Sequence, residues 1–218
     1  MNDTVTPAID AAATAVVTGA SSGIGRELAL QLAPRVGRLI LVARRRTQLE
    51  ELARQCERPG LQVGIRSCDL GDREERGQFA RSLTEESVDL LVCAAGFGAD
   101  GHFDEIEVEQ MEEMLEVNLL AAMHLTRAVL PGMLQRNRGT LVMVGSGAGV
   151  WPVPRSTTYC TTKAGLHGFC EALRLDLTGT GVHVTEALPG PVETEFDAVA
   201  GTEGGMDTPA AAMRIGAE

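Results

Sequence analysis

The chain has 218 residues, 44% of them hydrophobic, and a formal net charge of −11. That size and apolar content suit one well-buried domain and exclude a disordered chain. The acidic balance excludes the broad basic face of a nucleic-acid binder, yet leaves room for a local basic pocket.

Aromatic residues make up only 3%, so the core must rest on Val, Leu, Ile, Ala and Met. The five cysteines, Cys56, Cys68, Cys93, Cys160 and Cys170, are odd in number and show no C-x-x-C pair. A reduced, intracellular chain is the reading. The histidines form no ligand pattern with them, so no metal is expected. The N-terminal "MNDTVTPAID" lacks the basic start and apolar stretch of a signal peptide. No apolar run approaches the roughly 18 residues of a membrane helix. The expectation is a cytoplasmic protein.

Short apolar runs alternate with longer helical patterns. "TAVVT" (14–18), "RLILVA" (38–43), "LQVGIRSC" (61–68), "VDLLVCAAG" (88–96), "GTLVMVG" (139–145) and "GVHVTEALP" (181–189) read as strands covered on both faces. Helical spacing runs through 23–34, 46–57, 72–86, 107–135 and 156–178. In 107–135, Met111, Met114, Leu115, Asn118, Leu119, Ala122 and Leu125 share a face, with Asn118 polar in its middle. Such alternation predicts a Rossmann-like, doubly wound α/β fold: one parallel sheet, right-handed crossovers and helices on both faces. No linker or repeat splits it, so 1–218 reads as a single domain. Ligands bind such sheets at the carboxyl ends of the strands. Near the end, Thr208 and Pro209 open a helix that stops about two turns later, and no seventh strand follows. Segment 193–218 is expected to be a substrate lid that is cut short.

"VVTGASSGIGRELA" joins the first strand to the first helix. Gly19, Gly23 and Gly25 give G-x-x-x-G-x-G, which suits a tight turn, close backbone approach to a pyrophosphate and free N–H groups at a helix start. A glycine-rich turn without a ligand is the plain alternative. The second strand ends "LVARRR". Ala43 stands where an NAD site carries an acid, and Arg44 and Arg45 follow. Arginine binds a 2′-phosphate that an acid would repel, so NADP(H) is favoured, with NAD(H) possible. The three arginines read otherwise as solvated side chains, at a helix start that disfavours them.

"VMVGSGAG" places Ser146 at the carboxyl end of the fifth strand. Tyr159, the only tyrosine, lies 13 residues on, and Lys163 follows at i+4 on the same helix face. These three side chains can converge.

The ordered set Thr18-Gly19…Gly23-x-Gly25, Asp69, Asn118, Ser146, Tyr159-x-x-x-Lys163 and Pro189-Gly190 resembles the short-chain dehydrogenase/reductase family. Ala95-Gly96-Phe97-Gly98 and "PGPVETEF" (189–196) are similar to its NADP-preferring reductases. The resemblance spans about residues 14 to 195. It implies the strand order 3-2-1-4-5-6 and a carbonyl–alcohol interconversion by hydride transfer. Tyr159 would be the general acid/base, Lys163 its tuner and a ribose ligand, and Ser146 the carbonyl polariser. Asn118 would hold a water in a relay, or be a satisfied core asparagine. The implied cofactor set is Thr18, Gly19, Ser21, Ser22, Gly23, Ile24, Gly25, Arg44, Arg45, Asp69, Leu70, Ala95, Gly96, Asn118, Tyr159, Lys163, Pro189, Gly190, Val192 and Thr194. Asp69 would face the adenine, or only cap the helix beginning near Asp72. Pro189 reads otherwise as a plain strand terminator. Phe97, Ser146, Trp151, Val153 and Tyr159 would line an apolar substrate pocket. One departure is that Cys93-Ala94-Ala95-Gly96 replaces the family's usual N-N-A-G, which predicts altered bonding at that sheet edge. A catalytically silent nucleotide-binding relative is the alternative function. Homo-oligomer formation is in question without the last strand.

Overall fold

The computed structural model describes residues 11–190. Val192, Thr194, the helix start at Thr208 and the 193–218 segment lie outside the described residues, as does the N-terminal decapeptide.

The apolar runs form six strands: β1 (Thr14–Thr18), β2 (Arg38–Ala43), β3 (Gln62–Ser67), β4 (Leu90–Cys93), β5 (Gly139–Val144) and β6 (Val182–Ala187). All neighbouring pairs are parallel, in the order β3-β2-β1-β4-β5-β6. The predicted Rossmann-like topology is therefore present. Because side chains alternate across a strand, the sheet feeds two cores. Ala15, Val17, Leu39 and Leu41 meet α1 (Gly23–Leu32) and α2 (Arg46–Cys56) on one face. Val16, Ile40, Val42 and Leu141 belong to a core shared on the other face with α3 (Arg73–Leu83), α5 (Ala121–Gln135) and α6 (Thr157–Asp176). The edge strand β3 is only half-buried, so its flanks are less covered than its apolar sequence suggested.

The expected helix 107–135 has three parts. α4 (Val108–Leu115) passes into a π-helical turn, Glu116–Leu120, and then into α5. By length and composition the run Val108–Gln135 is apolar enough to cross a membrane, a stretch the sequence reading did not count. Here Met114, Leu125, Val129 and Met133 are buried, as in a core helix.

Two boundaries differ from expectation for physical reasons. β4 ends at Cys93, not Gly96, because the Ala94 and Ala95 N–H groups leave the ladder and donate to Thr18 Oγ1 at 3.1 and 3.3 Å. The cap of α3 is Asp72, whose Oδ1 accepts from the Glu74 and Glu75 N–H groups at 2.8 Å each. Asp69 is thus not that cap. Its Oδ1 accepts from Gly71 N–H at 2.9 Å.

Candidate active site

At the carboxyl edge of β1 the chain makes a tight approach to β4. Gly19 has φ +64°, and a Cβ there would lie 2.7 Å from the Ala94 carbonyl oxygen and the Ala95 nitrogen. Gly23 also lies in the left-handed region at φ +52°. A Cβ at Gly25 would press on the Gly19 carbonyl oxygen. Each glycine is therefore required by backbone geometry. Ser22, at the N-cap of α1, makes no side-chain cap bond, and the first turn carries no acidic residue. Ser21 and Ile24 flank it, half-buried. The α1 N–H groups are thus open to an anion, and the cradle that side chains would fill fits a pyrophosphate.

The two arginines after β2 behave differently. Arg45 reaches the glycine turn, donating from Nε and Nη2 to Ser21 Oγ at 3.3 and 3.2 Å. Arg44 turns to acids, with Nη1 3.3 Å from Glu113 and 3.9 Å from Asp69. Of the two arginines, the structure brings Arg45 nearer to the turn. Leu70 is buried, and its carbonyl accepts from Arg76 at 2.7 Å.

At the carboxyl edge of β5, Ser146 Oγ accepts from Ala148 N–H at 3.1 Å and is hydrogen-bonded to Tyr159. Beneath them lies Lys163, 5% exposed, its Nζ donating to the Val144 carbonyl at 2.8 Å. Nζ is 5.7 Å from the Tyr159 ring centroid, within cation–π range. A Cβ at Gly149 would come within 2.7 Å of the Lys163 carbonyl, so the loop after Ser146 packs directly on the helix. Burial pushes the Tyr159 phenol up from 10; the Ser146 hydrogen bond opposes this. Cys160 adds a smaller upward push, and Lys163, expected to tune the phenol, is not among the causes of this shift. Burial likewise takes Lys163 from 10.5 down to about 8.

Asn118 occupies the π-helical turn, 2% exposed. Its Oδ1 accepts from Phe97 N–H at 3.0 Å, and its Nδ2 donates to Phe97 O at 2.8 Å and Thr162 Oγ1 at 3.1 Å. The amide clasps the segment after β4 to the helix carrying Tyr159. The wider turn lets a side chain leave the ordinary helical register, a common device at functional sites. A Cβ on Gly96 would lie 3.0 Å from Asn118 Oδ1 and 3.5 Å from Lys163 Nζ. Ala95-Gly96 thus passes over both polar groups. Pro189 joins the same edge through its carbonyl, which accepts from Gly147 N–H at 3.3 Å, with Gly190 exposed beyond.

Of the pocket residues, Phe97 and Val153 are half-buried, whereas Trp151 is 74% exposed. Sequence reasoning missed three features. Arg76, 1% exposed, ties the Leu70 carbonyl to Glu116, at 2.6 Å, and to His124 Nδ1, at 3.1 Å. The Glu116 contact is an ion pair off the hydrogen-bonding direction. Glu186 is a buried carboxylate in β6. Finally, Lys163 is the only lysine of the chain; the other 18 of its 19 Lys and Arg residues are arginine. That last signal was legible, since a lone lysine among arginines marks a position needing a compact ammonium.

A sequence profile described as short chain dehydrogenase matches residues 13–203. The chain belongs to the short-chain dehydrogenase/reductase family. An uncharacterized oxidoreductase of Myxococcus xanthus is 39% identical over 187 residues, covering 85% of this chain and 74% of that protein. The NADP-dependent 3-hydroxy acid dehydrogenase of Schizosaccharomyces pombe is 36% identical over 192 residues, with 85% and 74% covered. A short-chain dehydrogenase from Sphingobium yanoikuyae, solved with NADPH, superposes with a TM-score of 0.83 at 32% identity, covering 87% of this chain and 75% of that one. The protein is accordingly an NAD(P)-dependent oxidoreductase, and its parallel sheet is the Rossmann-like core of this family.

Proposed function

We propose that the protein is an NADP(H)-dependent carbonyl reductase, interconverting an apolar ketone or aldehyde with its alcohol, with Tyr159 as general acid/base. One observation carries this reading: the chain's only tyrosine and only lysine meet beside Ser146 at a strand edge. The bound dinucleotide supplies the hydride. Ser146 would hold the carbonyl oxygen and stabilise charge developing there. Tyr159 would give that oxygen its proton. The phenol is protonated at neutral pH and burial raises it further from 10, so the unliganded site is ready to donate a proton. Lys163 would hold the nicotinamide ribose and place positive charge beneath the phenol. Asn118 would fix the Phe97 segment over the nicotinamide through the bonds it makes to that backbone.

For the cofactor, Ala43 in place of an acid and Arg45 beside Ser21 support NADP(H) over NAD(H). The NADPH complex and the NADP-dependent relative support the same preference. For the substrate, Phe97, Trp151 and Val153 offer apolar surface, and Arg155 in the same loop is occupied by Asp100 at 3.1 Å. A silent nucleotide-binding relative would have no reason to keep the tyrosine and lysine together.

The test is titration with NADPH and NADH, followed by a screen of apolar carbonyls for NADPH consumption. Tighter NADPH binding and turnover are expected. Failure to bind either nucleotide would end the reading.

A further inference from the structure

Glu186 stands in β6 with its side chain 3% exposed. One carboxylate oxygen, Oε2, lies 2.7 Å from His167 Nδ1. The other, Oε1, is buried and has no hydrogen-bond partner among the described residues. A buried carboxylate left half-satisfied is costly unless a charge nearby offsets it.

The compensating charge is placed by the sheet. β6 pairs with β5 so that Glu186 sits opposite Met143, one residue before Val144, whose carbonyl receives Lys163 Nζ. A Cβ on Gly145 would lie 2.5 Å from Glu186 Oε1, so the glycine between Val144 and Ser146 makes the room for this oxygen. Lys163 and His167 are i and i+4 on α6 and so share a face, from which His167 reaches Glu186 on β6 and Lys163 reaches Val144 at the end of β5. The other titratable or charged groups of the cluster are Cys170, Glu171 and Arg174 on α6, and Cys93 from β4 beside Cys170. Arg174 spends its Nε on the Val184 carbonyl at 3.1 Å. The single ammonium in the cluster is Lys163.

We infer that Glu186 is a positioning residue for Lys163, a buried counter-charge that keeps the chain's single lysine as an ammonium ion; this rests on the carbonyl-reductase reading of the site. Burial alone drives the lysine toward the neutral amine, and the Glu186 charge opposes that drift. A neutral Lys163 would place no positive charge under the phenol. The same carboxylate holds the Cys170 thiol protonated, with burial as the larger cause.

A chain with one lysine allows a direct test. Lysine labelled with ¹³C at Cε gives one side-chain resonance, whose pH titration belongs to Lys163 without assignment. The wild-type midpoint should stay above neutral. In Glu186→Gln it should fall by about one pH unit or more, the direction expected on loss of the opposite charge that supports the ammonium. Glu186→Asp, which keeps the charge, should stay nearer the wild type. A wild-type midpoint below neutral would overturn the inference even if neither variant folds. So would an unmoved midpoint in a folded Glu186→Gln, or equal shifts in both variants, which would mark a packing effect. The titration needs neither cofactor nor substrate. A chain without turnover would overturn the proposed function and leave this result standing; an unmoved midpoint in an active Glu186→Gln enzyme would do the reverse.

Discussion

The two ends of the proposed site handle charge in opposite ways. Around the glycine turn, the arginines are exposed: the Arg44 side chain keeps 59% of its surface in solvent and shares it with Asp69 and Glu113. Around α6, the polar groups are committed, with Lys163 and Asn118 buried and Ser146 and Tyr159 half-buried: Lys163 to Val144, Asn118 to Phe97 and Thr162, Ser146 to Tyr159 and Ala148. Exposed pairs are screened and individually weak, so the nucleotide end can exchange partners when a phosphate arrives. Buried groups are strongly coupled to their surroundings, so the reactive end must be built in its working geometry. On the proposed reading, the first end selects a ligand and the second holds a proton.

This contrast can be broken at either end. The largest effect is expected at the buried end. Lys163→Met should lower turnover by about a hundredfold or more, on the scale of losing a positioned proton-transfer group. The variant removes a buried ammonium whose value burial lowers from 10.5 to about 8, and it also strips the Glu186 carboxylate of the charge that offsets it, so its melting temperature reports the balance of two opposed effects. Turnover at the wild-type rate in a folded Lys163→Met would contradict the role given to the lysine.

Gly19→Ala should act next most strongly. The new methyl meets the Ala94 and Ala95 backbone, which cannot swing away as a side chain can, and the residue sits at positive φ. A loss of about 1–3 kcal/mol in stability is expected, read as a lower denaturation midpoint. An unchanged midpoint would mean that the turn is softer than described.

At the exposed end, Arg45→Ala should weaken NADPH binding by about tenfold, the scale of one charge-assisted hydrogen bond reduced by solvent, and leave NADH binding almost unchanged. Equal losses for the two nucleotides would show that Arg45 supports the turn instead of reading the 2′-phosphate.

The smallest effect is a silence. With one tyrosine in the chain, the tyrosinate absorbance reports Tyr159 alone. The unliganded protein should show no tyrosinate at neutral pH, appearing only above the ordinary range near 10, because burial raises the phenol. Tyrosinate at neutral pH would reverse the preference for proton donation.

Much of this was legible before any coordinates. The parallel α/β alternation and the meeting of Ser146, Tyr159 and Lys163 follow from period and spacing, which depend on local geometry alone, whereas the strand order came from the family resemblance. What escaped depends on contacts distant in sequence. The π-helical turn forms where Asn118 meets both Phe97 and Thr162, 21 and 44 residues away, and no local pattern announces it. β4 stops early because a hydroxyl on Thr18 captures two amides from another strand. Arg76 looked like one of many surface arginines on an acidic chain, and only the packing of α3 on α5 buries it. Glu186 is one polar residue in a run that reads as a strand covered on both faces, and no local pattern marks its role. Its burial comes from His167 across the helix–sheet interface and from the missing side chain at Gly145.

The central claim is that Tyr159 passes a proton to a carbonyl oxygen beside bound NADPH. Its most direct test is the rate of NADPH consumption with an apolar ketone by Tyr159→Phe, which removes one oxygen from the site. The expected result is turnover lost by about a hundredfold or more, with NADPH affinity retained within a few-fold. A Tyr159→Phe enzyme that binds NADPH and reduces the ketone at the wild-type rate would contradict the account.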